Sequence, residues 1–193
     1  MTYTMVEPPF SVGLPSMTKQ QLKEHFVWFQ GVIPERLDVL IKAVHETPGF
    51  ESWDPDFSPE SLDGLGNWFA GEVETRQRSA DEMAAMAEIE STHKFPIEIS
   101  TEELTLRTFS VALDIGIYLS QVFMKNYPTL EWFVDLRNKK HMDYGRPALK
   151  GFRVCPFNPV RVAIVIAYGL ADKSKDGSRL RDVYEIWRKD VLA

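Results

Sequence analysis

The chain has 193 residues, of which 44% are hydrophobic, 26% charged and 12% aromatic, and carries a formal net charge of −6 at pH 7; this is globular composition and excludes a disordered or fibrous chain. Its single cysteine, Cys155, rules out an intramolecular disulfide. The first fifteen residues contain no Lys or Arg, and the longest apolar stretch, Val162 to Leu170, is far short of a membrane span, so a soluble cytoplasmic protein is expected.

Residues 1–16 are proline-rich without periodicity and read as an arm lying on the surface. A helix is predicted from Thr18, because Leu22, Phe26, Phe29 and Ile33 recur at spacings of three and four. Gly31 and Pro34 should break it, with Pro34 opening a second helix striped by Leu37, Leu40, Ile41 and Val44 and ended by Thr47-Pro48-Gly49. The two would form a helical hairpin. After the acidic and aromatic loop Glu51 to Phe57, Ser58-Pro59-Glu60 is a helix-start signal for a third helix with Leu62, Leu65, Phe69 and Val73 inside, completing a helical subregion over 18–78. Ala80 to Glu90 reads as a short solvated helix or a mobile segment.

Thr101 with Glu102 and Glu103 is expected to start the strongest helix, running to about Lys125; its apolar residues cover most of the circumference, which makes it central. Leu130 to Leu136 alternates as a strand does, and Ala148 to Cys155 could return antiparallel to it, with the polar loop Arg137 to Pro147 between. Asn158-Pro159 caps a buried helix over Val160 to Leu170, although its β-branched residues leave a strand open. Asp176-Gly177-Ser178 leads into a final amphipathic helix with Leu180, Val183, Tyr184 and Trp187 on one face. The expected fold is one domain over 1–193, α+β and mainly α, with about six helices around the central helix (about 101–125) and a small antiparallel hairpin or sheet (about 130–155).

Charge divides the chain. Residues 1–100 carry 17 acidic and 7 basic residues, and residues 101–193 carry 11 and 15. Eleven carboxylates between Glu51 and Glu90 face only Arg76 and Arg78, whereas Arg137 to Arg153 holds six basic residues and the single acid Asp143. Nucleic-acid binding would rest on that basic segment alone against an opposing field and is disfavoured.

Chemistry-bearing patterns are few. Gly64, Gly66 and Gly71 have the wrong spacing for a dinucleotide-binding loop and are expected to serve close helix packing. His25, His45, His93 and His141 lie in four segments with no second cysteine, so neither a metal nor another cofactor is expected. Cys155 reads as a small buried hydrophobe, and His141 with Asp143 would share one face if their segment were extended. On the central helix Arg107, Ser110, Asp114, Tyr118, Gln121 and Lys125 draw a polar stripe. It is a solvated face, a set of structural hydrogen bonds, or a groove built on Arg107, Asp114, Tyr118 and Gln121.

The stretches Asp56 to Leu62, Ile115 to Leu119 with Trp132, and Pro147 to Pro159 are similar to uncharacterised bacterial proteins, some of which resemble immunity proteins encoded beside secreted toxins. The resemblance implies a non-enzymatic cytoplasmic binding protein that inhibits a toxin, and it assigns no catalytic residue. The residues themselves suggest how: Glu51, Asp54, Asp56, Glu60 and Asp63 would face a basic protein partner, with Trp53, Phe57 and Trp68 as anchors. The alternatives are a small enzyme or small-molecule binder using Asp114, Tyr118 and His141, or a structural or oligomeric scaffold.

Overall fold

The computed structural model describes residues 3–10, 13–91 and 99–192; the expectation for His93 lies outside them. Helix α1, Lys19–His45, starts on a reciprocal cap in which Thr18 Oγ1 accepts from Gln21 N at 3.2 Å and Gln21 Oε1 from Thr18 N at 2.9 Å. It runs unbroken through Pro34, so the expected helical hairpin does not form. An interior proline removes a backbone bond and costs about 3 kcal/mol. The buried stripe Leu22, Phe29, Arg36, Leu40 and Val44 continues across the site, and that packing outweighs the local penalty. Thr47 and Gly49 end α1 as expected, Gly49 at φ 91°.

Helix α2, Ser61–Glu72, begins after the Ser58-Pro59-Glu60 turn and buries Leu62, Leu65, Trp68 and Phe69. Strand β1, Thr75–Gln77, pairs antiparallel with β2, Glu102–Leu104, and between them α3, Ala80–Ser91, is mostly exposed. Thr101 therefore does not open the central helix. The acids after it are held across the ladder, Glu103 by Arg76 at 2.6 Å and Arg78 at 3.2 Å. The cap is Thr105, whose hydroxyl accepts from Thr108 N at 3.1 Å, and α4 spans Leu106–Asn126.

Helix α4 is the centre of the fold, with Val111, Ala112 and the whole run Asp114 to Ser120 buried. Strands β3, Glu131–Val134, and β4, Pro147–Lys150, pair antiparallel in the register Trp132↔Leu149. The return strand is shorter than expected because Gly151, at φ 110°, turns the chain away. Helix α5, Pro159–Ala171, is capped by Asn158, whose side chain accepts from Arg161 N at 3.0 Å, which settles that segment as helix. Helix α6, Arg179–Trp187, closes an aromatic cluster in which Phe123 lies 4.7 Å from Tyr184 and Phe157 4.6 Å from Trp187. Among the described residues the class is α+β and mainly α, 55% helical with two small antiparallel sheets. No helix among the described residues is long and apolar enough to cross a membrane.

The described residues of the arm are mostly exposed, but Tyr3 anchors it, buried in the core. One further expectation changes: Cys155 is exposed, not buried.

Close approach of α5 to α4 depends on Gly116: a Cβ there would stand 2.5 Å from the Val160 Cα. Gly116→Ala should lower stability by about 1 to 3 kcal/mol through overpacking, read as a fall in the urea midpoint. Gly71→Ala, where nothing lies within 4 Å of the added carbon, should not fall with it.

Candidate functional site

The polar stripe of α4 turns inward. Asp114 is fully buried and accepts from Arg36 Nε at 2.8 Å and Arg36 Nη2 at 2.6 Å, and the Tyr3 hydroxyl donates to the same carboxylate. Arg36 also donates to the Thr4 carbonyl at 2.8 Å, and Val6 N donates to Ser110 Oγ at 2.8 Å, so the arm is stitched to α1 and α4 together. The guanidiniums of Arg36 and Arg107 stand 5.9 Å and 5.8 Å from the centroid of the Tyr3 ring. Burial is the largest influence on the pair: it pushes the Asp114 carboxyl up and opposes the charge of Arg36, yet the bond to Asp114 holds that guanidinium above its ordinary value. With three donors on Asp114, the set is closed to a ligand.

Tyr118, one turn on, donates to Ser61 Oγ at 2.8 Å and accepts from Phe57 N at 3.2 Å. Its ring packs against Trp53 at 5.3 Å and Phe57 at 4.9 Å. Gln121 donates to Ser120 Oγ at 3.2 Å, and Arg107 is paired with Glu72. Arg107, Asp114, Tyr118 and Gln121 thus do not line one groove. His141 is exposed in the loop between β3 and β4, among other cleft-lining residues, and the combination Asp114, Tyr118 and His141 is not assembled.

The acidic loop is fixed from beneath. Trp53 Nε1 donates to the Ser61 carbonyl at 2.9 Å, His45 Nε2 donates to the Trp53 carbonyl at 2.7 Å, and Lys125 Nζ donates to the Asp56 carbonyl. Phe57 sits at φ 56°, backbone that a bulky residue adopts only where its surroundings hold it. Trp53 and Phe57 are half-buried against the core, and Trp68 is 1% exposed with its Nε1 on Thr47 Oγ1 at 2.8 Å. Trp68 is therefore committed to the fold and does not reach a partner as expected, whereas Trp53 and Phe57 pack inward and keep part of their surface exposed. Glu51, Asp54, Asp56, Glu60 and Asp63 are all exposed. Hydrogen bonds from Ser58 hold the Asp56 carboxyl below its ordinary range, and Glu60 is taken by Arg181 at 3.0 Å.

Neither a family model, nor a curated protein, nor a solved structure matches the chain.

A cleft of about 450 Å³ opens beside the buried pair, between the arm, α1, α2 and Arg107. Its walls carry Glu35, Asp38 and Lys42 from α1, Glu46 just past the end of that helix and Glu72 from α2, with Tyr3 and Trp68 also in the lining. None of these carboxylates was among the expected acidic residues; the spacing of Glu35 and Asp38, both exposed on one helix, was the available signal. Among the described residues no three His, Cys, Asp or Glu side chains converge as metal ligands.

Removing one partner of a buried pair strands the other charge, so Asp114→Asn should cost about 3 kcal/mol or more by denaturant titration. Asp63→Asn, on the exposed first turn of α2, should stay within about 0.5 kcal/mol. Burial pushes Tyr118 and Tyr184 each up to about 12. Above their ordinary value of 10 the unfolded chain releases these protons first, so stability present below pH 10 should be lost as pH rises towards 12. Melting curves across that window should show the loss, and Tyr118→Phe should make it shallower.

Proposed function

We propose that the chain is a non-enzymatic, cytoplasmic protein-binding protein that presents a rigid acidic face to a basic partner, acting as an inhibitor of the immunity type on a cationic toxin. The observation that carries this reading is the division of labour in residues 51–63: the aromatic side chains and backbone are held from inside while Glu51, Asp54, Asp56 and Asp63 stand in solvent. A surface already ordered before binding loses little conformational freedom on docking. A field of one sign also speeds encounter with an oppositely charged surface. A toxin acting on nucleic acid or phosphate presents cations of that kind. The single cysteine suits a reducing compartment, where no disulfide is called for.

The affinity expected of this face is chiefly electrostatic, because its aromatic residues pack inward. Tagged protein mixed with extract of the native cells should retain a basic chain in stoichiometric amount. Retention should fall as ionic strength rises from about 0.01 M to about 1 M, which shortens the Debye length from about 30 Å to about 3 Å. The combined variant Glu51→Gln, Asp54→Asn, Asp56→Asn, Asp63→Asn should keep its melting temperature and lose most of the bound chain. Equal recovery by wild type and variant, or a retained chain without a basic surface, would overturn the reading.

A further inference from the structure

The basic segment from Arg137 onward takes no part in the acidic face. Its residues His141, Met142 and Asp143 join α5 and α6 in walling a cleft of about 540 Å³, a size typical of small-molecule sites. Two guanidiniums, Arg161 and Arg179, reach its wall from different helices. Asp143 is the carboxylate that lines it, and that group is already satisfied by Asn158 Nδ2 at 2.8 Å and faces Arg161 Nη1 at 3.5 Å. Arg179 has no ion-pair partner among the described residues, and Arg161 keeps 39% of its side chain exposed. A smaller cleft of about 300 Å³ shares His141 and Asp143 and adds Arg137 and Arg146; Asp135 is occupied by Arg137 at 2.9 Å. A chain with a net charge of −6 has here gathered cations around a concave surface.

The rest of the wall is apolar. Val165, 62% exposed, stands with Ile166 on α5, opposite Val183 and Trp187 of α6. Met142, 67% exposed, overhangs from the loop. Arginine matches carboxylate and phosphate oxygens through paired donors, while the valine and tryptophan surface favours hydrocarbon.

We propose that this cleft binds a small amphipathic organic anion, its carboxylate or phosphate head on Arg161 and Arg179 and its apolar body along Val165, Val183 and Trp187. The charge inventory selects an anion over a cation or a neutral ligand, and the apolar wall selects an organic body over an inorganic ion. Cys155, the chain's one cysteine, is exposed in the same wall and reports occupancy.

The test titrates the full chain with octanoate, octyl phosphate and 1-octanol by calorimetry, and follows alkylation of Cys155 by iodoacetamide with and without each compound. One saturable site is expected for at least one of the anions, with octanol about tenfold weaker or more, and with Cys155 alkylation slowed at saturation. The better of the two anions identifies the head group, and either preference supports the cleft. Arg179→Gln should weaken the anion about tenfold with an unchanged melting temperature, since the side chain holds no ion pair among the described residues, and Arg161→Gln should act in the same direction. Arg153→Gln, outside the cleft, should bind as wild type does. No saturable binding of either anion, octanol binding as tightly as they do, or undiminished affinity in Arg179→Gln would overturn the proposal.

Discussion

The ion pair between Arg36 and Asp114 is the constraint on which the arrangement of helices rests. Both charges are out of water, a condition that is tolerable only when each is met by a fixed partner. Meeting it fixes the rotation of α1 against α4 and brings Tyr3 and Thr4 in as the remaining donor and acceptor. A pair of this kind adds little to stability compared with an apolar substitute, but it penalises every other register between the two helices. The cleft beside α1 has its walls where they are because the arm is held down at this point.

Much of the architecture was legible because it follows from periodicity. The apolar circumference of α4, the alternation from Leu130 to Leu136 and the Asn158 cap each state a local preference that the packed chain also satisfies. The failures share a cause: local punctuation was overruled by partners distant in sequence. Pro34 reads as a break, yet buried residues on both sides of it leave α1 no freedom to stop. Thr101 reads as a cap, yet Glu102 and Glu103 find Thr75, Arg76 and Arg78 across a ladder. The buried pair was half visible, with Asp114 alone among apolar neighbours on α4; Arg36 occupies the matching position on the buried stripe of α1, and two isolated opposite charges on two apolar faces are a readable sign of contact.

The acidic loop illustrates how composition misleads about exposure. Tryptophan and phenylalanine among carboxylates suggest apolar side chains offered to a partner, but alternation along an irregular loop can equally send aromatic rings inward and acids outward. Here Tyr118 supplies the inward target, clasped by Trp53 and Phe57 while its hydroxyl bridges Ser61 and the Phe57 amide. Helix α6 joins the two oppositely charged regions, Arg181 reaching Glu60 and Arg179 reaching the basic cleft.

Tyr3 and Asp114 are separated by 111 positions in the chain, and that distance governs the order of events during synthesis. Arg36 leaves the ribosome long before the carboxylate that must neutralise it exists, so α1 cannot bury its arginine and remains hydrated until α4 has emerged. Contacts of such long range slow folding, because the intervening loop must close before any of them rewards it. The arm is thus made early and docked late, and completion of α4 is the event that lets the first third of the chain leave water.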